Sequence, residues 1–262
     1  MNYEPWIRQV TLPDFGLIGQ QKLLDAKVLV VGAGGLGCPA LLYLAAMGVG
    51  TLGIADFDVV ETTNLNRQIL FGAADVGKQK ATLASEKLAE QYPNIKFIAY
   101  KTKIVATNAL AILQDFDVII DASDNFATRY LLNDACVLLG KALIFGSIYR
   151  MEGQVSVFNH GGNESVNYRD IYPRSDKNNE APNCAEAGVL GVLPGIIGTL
   201  QACETVKIIT KMGTLLSGDL LVVDAAHMRF VKVAIEPNFA SRKQAPATIE
   251  DFESFNYDES CS

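Results

Sequence analysis

Short apolar runs alternate with longer amphipathic stretches along the first part of the chain. Lys27-Val-Leu-Val-Val31, the run 51–56, and the runs 95–100, 117–121 and 142–146 are nearly continuous in apolar residues and predict buried strands. Between them, 36–48, 77–91, 106–113 and 125–139 carry apolar residues at helical spacing. In the second of these helices Ala81, Ala84, Leu88 and Tyr92 share one face, Lys80, Lys87 and Glu90 lie off it, and Pro93 ends the pattern. Strand and helix in strict alternation predict an α/β fold, a doubly wound, Rossmann-like, mostly parallel sheet.

The pattern changes after Phe145. Gly153-Gln-Val-Ser-Val-Phe158 alternates apolar and polar residues, as a half-exposed antiparallel strand does, so the sheet is expected to be extended by antiparallel strands in the C-terminal half. Residues 159–186 are rich in Asn, Gly, Pro and charge, which predicts a long flap or crossover loop. A helix over 189–212 and strands over 219–224 and 228–235 follow. The reading is one domain over 1–241 and a weakly structured tail or linker over 242–262.

Composition narrows the partners. With 262 residues and 49% hydrophobic content the chain can bury one full core. A net charge of -7 without a Lys or Arg block argues against nucleic acid and against an anionic membrane. The longest apolar stretch, 189–200, is broken by Gly191, Pro194, Gly195 and Gly198, and no signal pattern opens the chain; the expectation is a soluble, cytoplasmic protein. The cysteines at 38, 136, 184, 203 and 261 form no Cys-x-x-Cys pair. Cys38, Cys136 and Cys203 fall in apolar helical patterns and are expected to be buried, whereas Cys184 falls in the polar loop.

The chemistry gathers where strands end. Gly-Ala-Gly-Gly-Leu-Gly over 32–37 joins the first strand to a helix, and Gly32, Gly34, Gly35 and Gly37 allow a tight turn and close backbone approach to a phosphate at the helix N-terminus. Asp56 closes the second strand and suits ribose hydroxyls. Three polar clusters lie beyond carboxyl ends of strands: Asp56 and Asp58 leading into Asn64, Arg67 and Gln68; Gly77-Lys-Gln-Lys80; and Asp121-Ala-Ser-Asp124-Asn125. Two cations, Arg67 and Lys80, with a helix N-terminus suit a triphosphate, and Asp124 could hold its Mg2+ or, alternatively, cap the helix after it. The same glycine turn and Asp56 suit NAD, so a dehydrogenase stands as a rival. Its acid-base group would have to be His160 or His227, and Tyr92-Pro-Asn-Ile-Lys96 holds a proline that denies its ends a shared helical face. A non-catalytic nucleotide-binding scaffold is the other rival.

Over roughly residues 5–238 the chain resembles the ubiquitin-activating-enzyme-like adenylyltransferases of the ThiF/MoeB/HesA group. The resemblance rests on Arg8-Gln9, the glycine turn, Asp56-Phe-Asp58, Asn64-Leu-Asn-Arg67-Gln68, Gly77-Lys-Gln-Lys80, Asp121-Ala-Ser-Asp-Asn125, Met151-Glu-Gly-Gln-Val and Asn183-Cys-Ala-Glu-Ala-Gly-Val189; the run 185–202 looks more like the MoeB branch than the thiamine branch. The resemblance implies ATP and Mg2+ as cofactors and adenylation of the C-terminal Gly-Gly of a ubiquitin-fold sulfur-carrier protein, with release of pyrophosphate. It implies catalytic roles for Arg67, Lys80 and Asp124, a homodimer in which Arg8 reaches the neighbouring subunit's ATP site, and a loop thiol at Cys184 for sulfur transfer. Many such proteins hold zinc with two Cys-x-x-Cys pairs, whose positions here fall at Asn167 and Asp170 and near Phe239 and Arg242. No zinc site is therefore expected, and Asp170 and Arg242 are expected to pair instead. The tail resembles a linker to a rhodanese domain, which suggests a sulfurtransferase as a further partner.

Overall fold

The computed structural model describes residues 3–162, 165–173 and 188–257. Its strands are β1 (Lys27–Val31), β2 (Thr51–Ala55), β3 (Lys96–Tyr100), β4 (Val118–Asp121), β5 (Ala142–Tyr149), β6 (Glu152–Phe158), β7 (Asp219–Asp224) and β8 (Arg229–Ala234). The helices are α1 (Ile7–Val10), α2 (Gly16–Asp25), α3 (Gly37–Ala46), α4 (Lys80–Gln91), α5 (Ala106–Leu113), α6 (Phe126–Leu139), α7 (Tyr168–Ile171), α8 (Leu193–Thr210), α9 (Phe239–Arg242) and α10 (Ile249–Ser254). All eight strands form one sheet in the order β3-β2-β1-β4-β5-β6-β7-β8. Pairing is parallel as far as β5 and antiparallel from β5 to β8, the expected mixed sheet.

Each central strand feeds both sides of the sheet. In β1, Val28 and Val30 join one apolar cluster with α3, α4 and α8, while Leu29 and Val31 join the other with α5, α6 and the C-terminal segment. This two-sided burial is why the parallel strands read as continuous apolar runs rather than alternating ones. Helix α8 covers the face of β4 and β5 so closely that the buried Gln201 donates from Nε2 to the carbonyls of Asp121 (2.6 Å) and Ile144 (3.2 Å).

Several local expectations change. The helix expected from Gly77 starts at Lys80, because Gly77 adopts a left-handed φ of 87° and Gln79 caps the helix by accepting from the Thr82 N–H at 2.9 Å. Helix α8 starts at Leu193 rather than 189; Val189 instead forms a bridge with Arg150. Cys38 and Cys136 are buried, and burial pushes the Cys38 thiol up to about 12, but Cys203 lies on the outward face of α8 and is exposed.

The described part of the flap is not a polar loop. Val166, Tyr168 and Arg169 are buried, and Arg169 forks onto the buried Asp134 of α6, Nε to Oδ1 at 2.8 Å and Nη2 to Oδ2 at 2.7 Å. The tail also departs from the expected weak structure. Phe252 of α10 and Tyr257 enter the second apolar cluster, and the Tyr257 hydroxyl donates to Asp134 Oδ2 at 3.0 Å. Isolated aromatics in a charged segment gave no periodic signal, yet each fills a place in a core built by distant elements.

Candidate functional site

The strand order reverses direction between β1 and β4, and a crevice outside the carboxyl ends of the strands is expected at such a point. A cavity of about 330 Å³ opens there. Its wall includes Gly32, Gly34 and Gly35 after β1, Asp56 and Asp58 after β2, Arg67 and Gln68 from the next loop, Lys80 at the start of α4, and Asp124 and Asn125 after β4. The three separate polar clusters of the sequence thus share one space.

Local folding explains the convergence. Gly32 has φ 101°, and a Cβ there would stand 2.5 Å from the Ala122 carbonyl oxygen, so a side chain would part β1 from β4. The segments 56–60 and 77–80 are zipped together by Val60 N–H to Lys78 O (2.8 Å), Gly77 N–H to Val60 O (2.8 Å) and Lys80 N–H to Asp58 O (2.9 Å). Lys80, off the apolar face of α4, is nevertheless buried, because it turns into the cavity, where its Nζ meets Asp58 Oδ2 at 3.2 Å. Arg67 is set by its own loop, Nη1 donating to Thr63 O at 2.9 Å and to Asn66 Oδ1 at 3.1 Å.

Asp56 accepts the Ala33 N–H on Oδ2 (2.7 Å) and the Asp58 N–H on Oδ1 (2.8 Å), locking the glycine turn to the end of β2. Burial raises its carboxyl above the ordinary value, against those two bonds and the nearby Lys80. Gln68 is buried in the wall and its Oε1 finds no hydrogen-bond partner among the described residues, an acceptor suited to a hydroxyl or amino donor of a ligand. The cap of α6 is Asn125, whose Oδ1 accepts the Thr128 N–H at 2.9 Å. That leaves the exposed Asp124 at the cavity rather than in the helix cap.

Among the described residues, three expected site residues do not line this cavity. Gly37 is structural: a Cβ there would lie 1.9 Å from the Gly32 carbonyl oxygen. Asn64 is buried in its loop, accepting the Glu61 N–H on Oδ1 at 3.2 Å and offering its carbonyl to the N–H groups of Arg67 and Gln68, so it shapes the loop that carries Arg67. Arg8 lies exposed on α1, away from this wall. Cys184 lies outside the described residues.

The wall also holds residues that sequence reasoning passed over, among them Lys103 after β3, Arg129 inside α6, and Tyr149 and Arg150 at the end of β5. The rule that ligands sit beyond strand carboxyl ends would have found Lys103 and Arg150. Arg129 is buried, donates from Nη2 to Ser123 O at 3.3 Å, and lies over the rings of Phe126 (5.4 Å) and Phe145 (5.8 Å). His160 and His227 are absent from the wall, and His227 pairs with Asp224 at 2.8 Å in the β7–β8 turn.

Comparison with known proteins agrees with this geometry. The ThiF family profile matches residues 7–244, and the chain belongs to that family. It is 44% identical over 256 residues to the probable adenylyltransferase/sulfurtransferase MoeZ of Mycobacterium tuberculosis, covering 97% of this chain and 64% of MoeZ. It is 47% identical over 234 residues to the sulfur carrier protein adenylyltransferase of Thermus thermophilus, covering 88% of this chain and 86% of that protein. The chain therefore spans less than two thirds of MoeZ and most of the Thermus relative. Among solved structures, E. coli MccB with ATP aligns with a TM-score of 0.73 at 21% identity, over 85% of this chain and 68% of that one, a likeness of fold. No helix among the described residues is long and apolar enough to cross a membrane.

Proposed function

We propose that this chain adenylates the C-terminal glycine carboxylate of a ubiquitin-fold sulfur-carrier protein, joining it to AMP from ATP with release of pyrophosphate. One observation carries the reading: Arg67, Lys80 and Asp124, from three separate segments, line one cavity at the N-terminal end of α3. A carboxylate oxygen attacking an α-phosphorus meets an anionic target, so the protein must offset charge and fix the line of attack. Arg67 and Lys80 are assigned to the phosphates, the glycine turn to close approach of backbone N–H groups, and Asp56 and Gln68 to the ribose. Mg2+ is ordinarily held by one or two carboxylates together with substrate phosphates, and the donor set of Asp124 with Asp58 fits that habit. Bound there, it would neutralise phosphate charge.

Arg8 is assigned to the site of a second copy in a homodimer; it is exposed on α1, free to reach beyond its own subunit. Cys184 is assigned to the subsequent sulfur transfer, with a sulfurtransferase as the sulfur source, and no zinc is assigned. The test is ATP–pyrophosphate exchange with candidate carriers ending in Gly-Gly. Exchange that requires the carrier and falls about a thousandfold in Arg8→Ala supports the adenylation and the shared site; exchange absent with every carrier defeats the adenylation, and an undiminished rate removes Arg8. Cys184→Ala is expected to keep exchange and lose thioester or acyl-disulfide formation.

A further inference from the structure

The turn between β5 and β6 holds an arginine where glycine would be easier. The strands pair as far as Tyr149 opposite Glu152, so Arg150 and Met151 alone connect them. Tight hairpins place a residue at positive φ, a region that a Cβ disfavours and glycine accepts. Arg150 takes that position with φ 55°. Backbone strain of this kind collects where a side chain is needed at one place.

The side chain also stands apart. Its guanidinium lies over the Tyr149 ring at 5.2 Å from the centroid, and both residues line the main cavity. Three other cations of the wall are held by contacts within the protein: Lys80 with Asp58, Arg67 with Thr63 and Asn66, and Arg129 with Ser123. Arg150 has no carboxylate or carbonyl partner for its guanidinium among the described residues; only its main chain is tied, its carbonyl accepting the Leu190 N–H at 3.3 Å. The hairpin is thus braced to the segment leading into α8, while among the described residues no protein anion meets the charged end.

Position completes the argument. In the sheet order β2-β1-β4-β5, Lys80 is held by the loop after β2, whereas Arg150 follows β5, on the far side of β1 and β4. A triphosphate accounts for the cations near the glycine turn. Adenylation brings a second anion, the attacking carboxylate, into the same cavity from another direction. We propose that Arg150 receives the C-terminal carboxylate of the carrier, as a specificity-determining residue that reads a free carboxylate end; this rests on the adenylation reading. The oxygen–phosphorus bond forms as the bond to pyrophosphate breaks, and Arg150 neither gains nor loses a proton.

The test compares a carrier ending in Gly-Gly carboxylate with the same carrier ending in Gly-Gly carboxamide, bound without ATP to the native chain, to Arg150→Gly and to Arg150→Lys. Glycine suits the turn, so Arg150→Gly removes the charge and keeps the hairpin. The native chain is expected to prefer the carboxylate about 10- to 100-fold, a charge-assisted contact. Arg150→Gly is expected to abolish that preference and raise KM for the carrier by a similar factor with KM for ATP unchanged, and Arg150→Lys to restore part of both. Undiminished preference in Arg150→Gly, or a change that falls on ATP alone, overturns the proposal. A native chain that shows the preference but no exchange would instead defeat the adenylation reading.

Discussion

Arg242 grips Asp170 at two points, Nε at 2.8 Å from Oδ1 and Nη2 at 2.5 Å from Oδ2. This is the pair expected where the resemblance places a zinc site in other proteins. Asp170 also accepts the N–H groups of Asn167 (2.7 Å) and Asn238 (2.8 Å), so one carboxylate joins α7 to the segment entering α9. The N–H donors and the guanidinium together draw two remote backbone segments to one point.

Arg242→Met should destabilise the chain by about 2–4 kcal/mol, because the buried carboxylate loses its counter-charge and keeps only backbone donors. Urea denaturation of both forms measures it. The pH dependence has a defined sign. Burial raises the Asp170 carboxyl, but the Arg242 bonds and the two N–H donors outweigh it and leave it below its ordinary 3.8. A depressed carboxylate contributes fully above its unfolded value and loses that contribution as pH falls through the lower folded one. The stability gap between native and Arg242→Met should therefore be full near neutral pH and shrink below about pH 4. A chelator should leave the melting temperature unchanged.

Gly37 and Gly34 should separate folding from binding. An alanine Cβ at 37 would stand 1.9 Å from the Gly32 carbonyl oxygen, a backbone atom within the turn itself, whereas at 34 the nearest atom is Gln68 Nε2 at an ordinary 3.6 Å. Gly37→Ala should cost about 3 kcal/mol or more. Gly34→Ala should melt like the native chain while its methyl, entering the cavity, raises KM for ATP roughly tenfold, in line with a turn that needs close backbone approach. Calorimetry and exchange kinetics on the two variants check the contrast.

Lys80→Met should reduce ATP–pyrophosphate exchange by about 10²- to 10³-fold, the usual effect of removing a preorganised positive group. Stability should change by less than about 1 kcal/mol, since the Asp58 side chain is 51% exposed and regains water when its partner goes. Loss of folding in place of loss of rate would give Lys80 a structural role.

The parallel half of the sheet was legible because its central strands β1, β2 and β4 are buried on both faces and therefore nearly continuous in apolar residues. The glycine turn was legible because it needs particular residues at fixed spacing. Contributions made by shape were hidden. Nothing local marks Asn64 as a loop former and Asn125, rather than Asp124, as the cap of α6; both depend on which oxygen meets which N–H. Arg129 reads as an ordinary helical charge until Phe126 and Phe145 are seen against it. Arg150 reads as a turn residue until its φ is known.

The C-terminal segment supplies the sharpest contrast between pattern and packing. Phe252 is 0% exposed, and its ring centroid lies 5.7 Å from that of Tyr257. Phe252→Ala should cost about 3–5 kcal/mol, the range for emptying a buried aromatic site. Tyr257→Phe should cost only about 1 kcal/mol, since it deletes the bond to Asp134 Oδ2 while Asp134 keeps both bonds from Arg169. A loosely attached linker would make both substitutions neutral in chemical denaturation. A large loss for Phe252→Ala beside a small one for Tyr257→Phe would mean that aromatic burial, more than the hydroxyl, anchors this segment against α5 and α6.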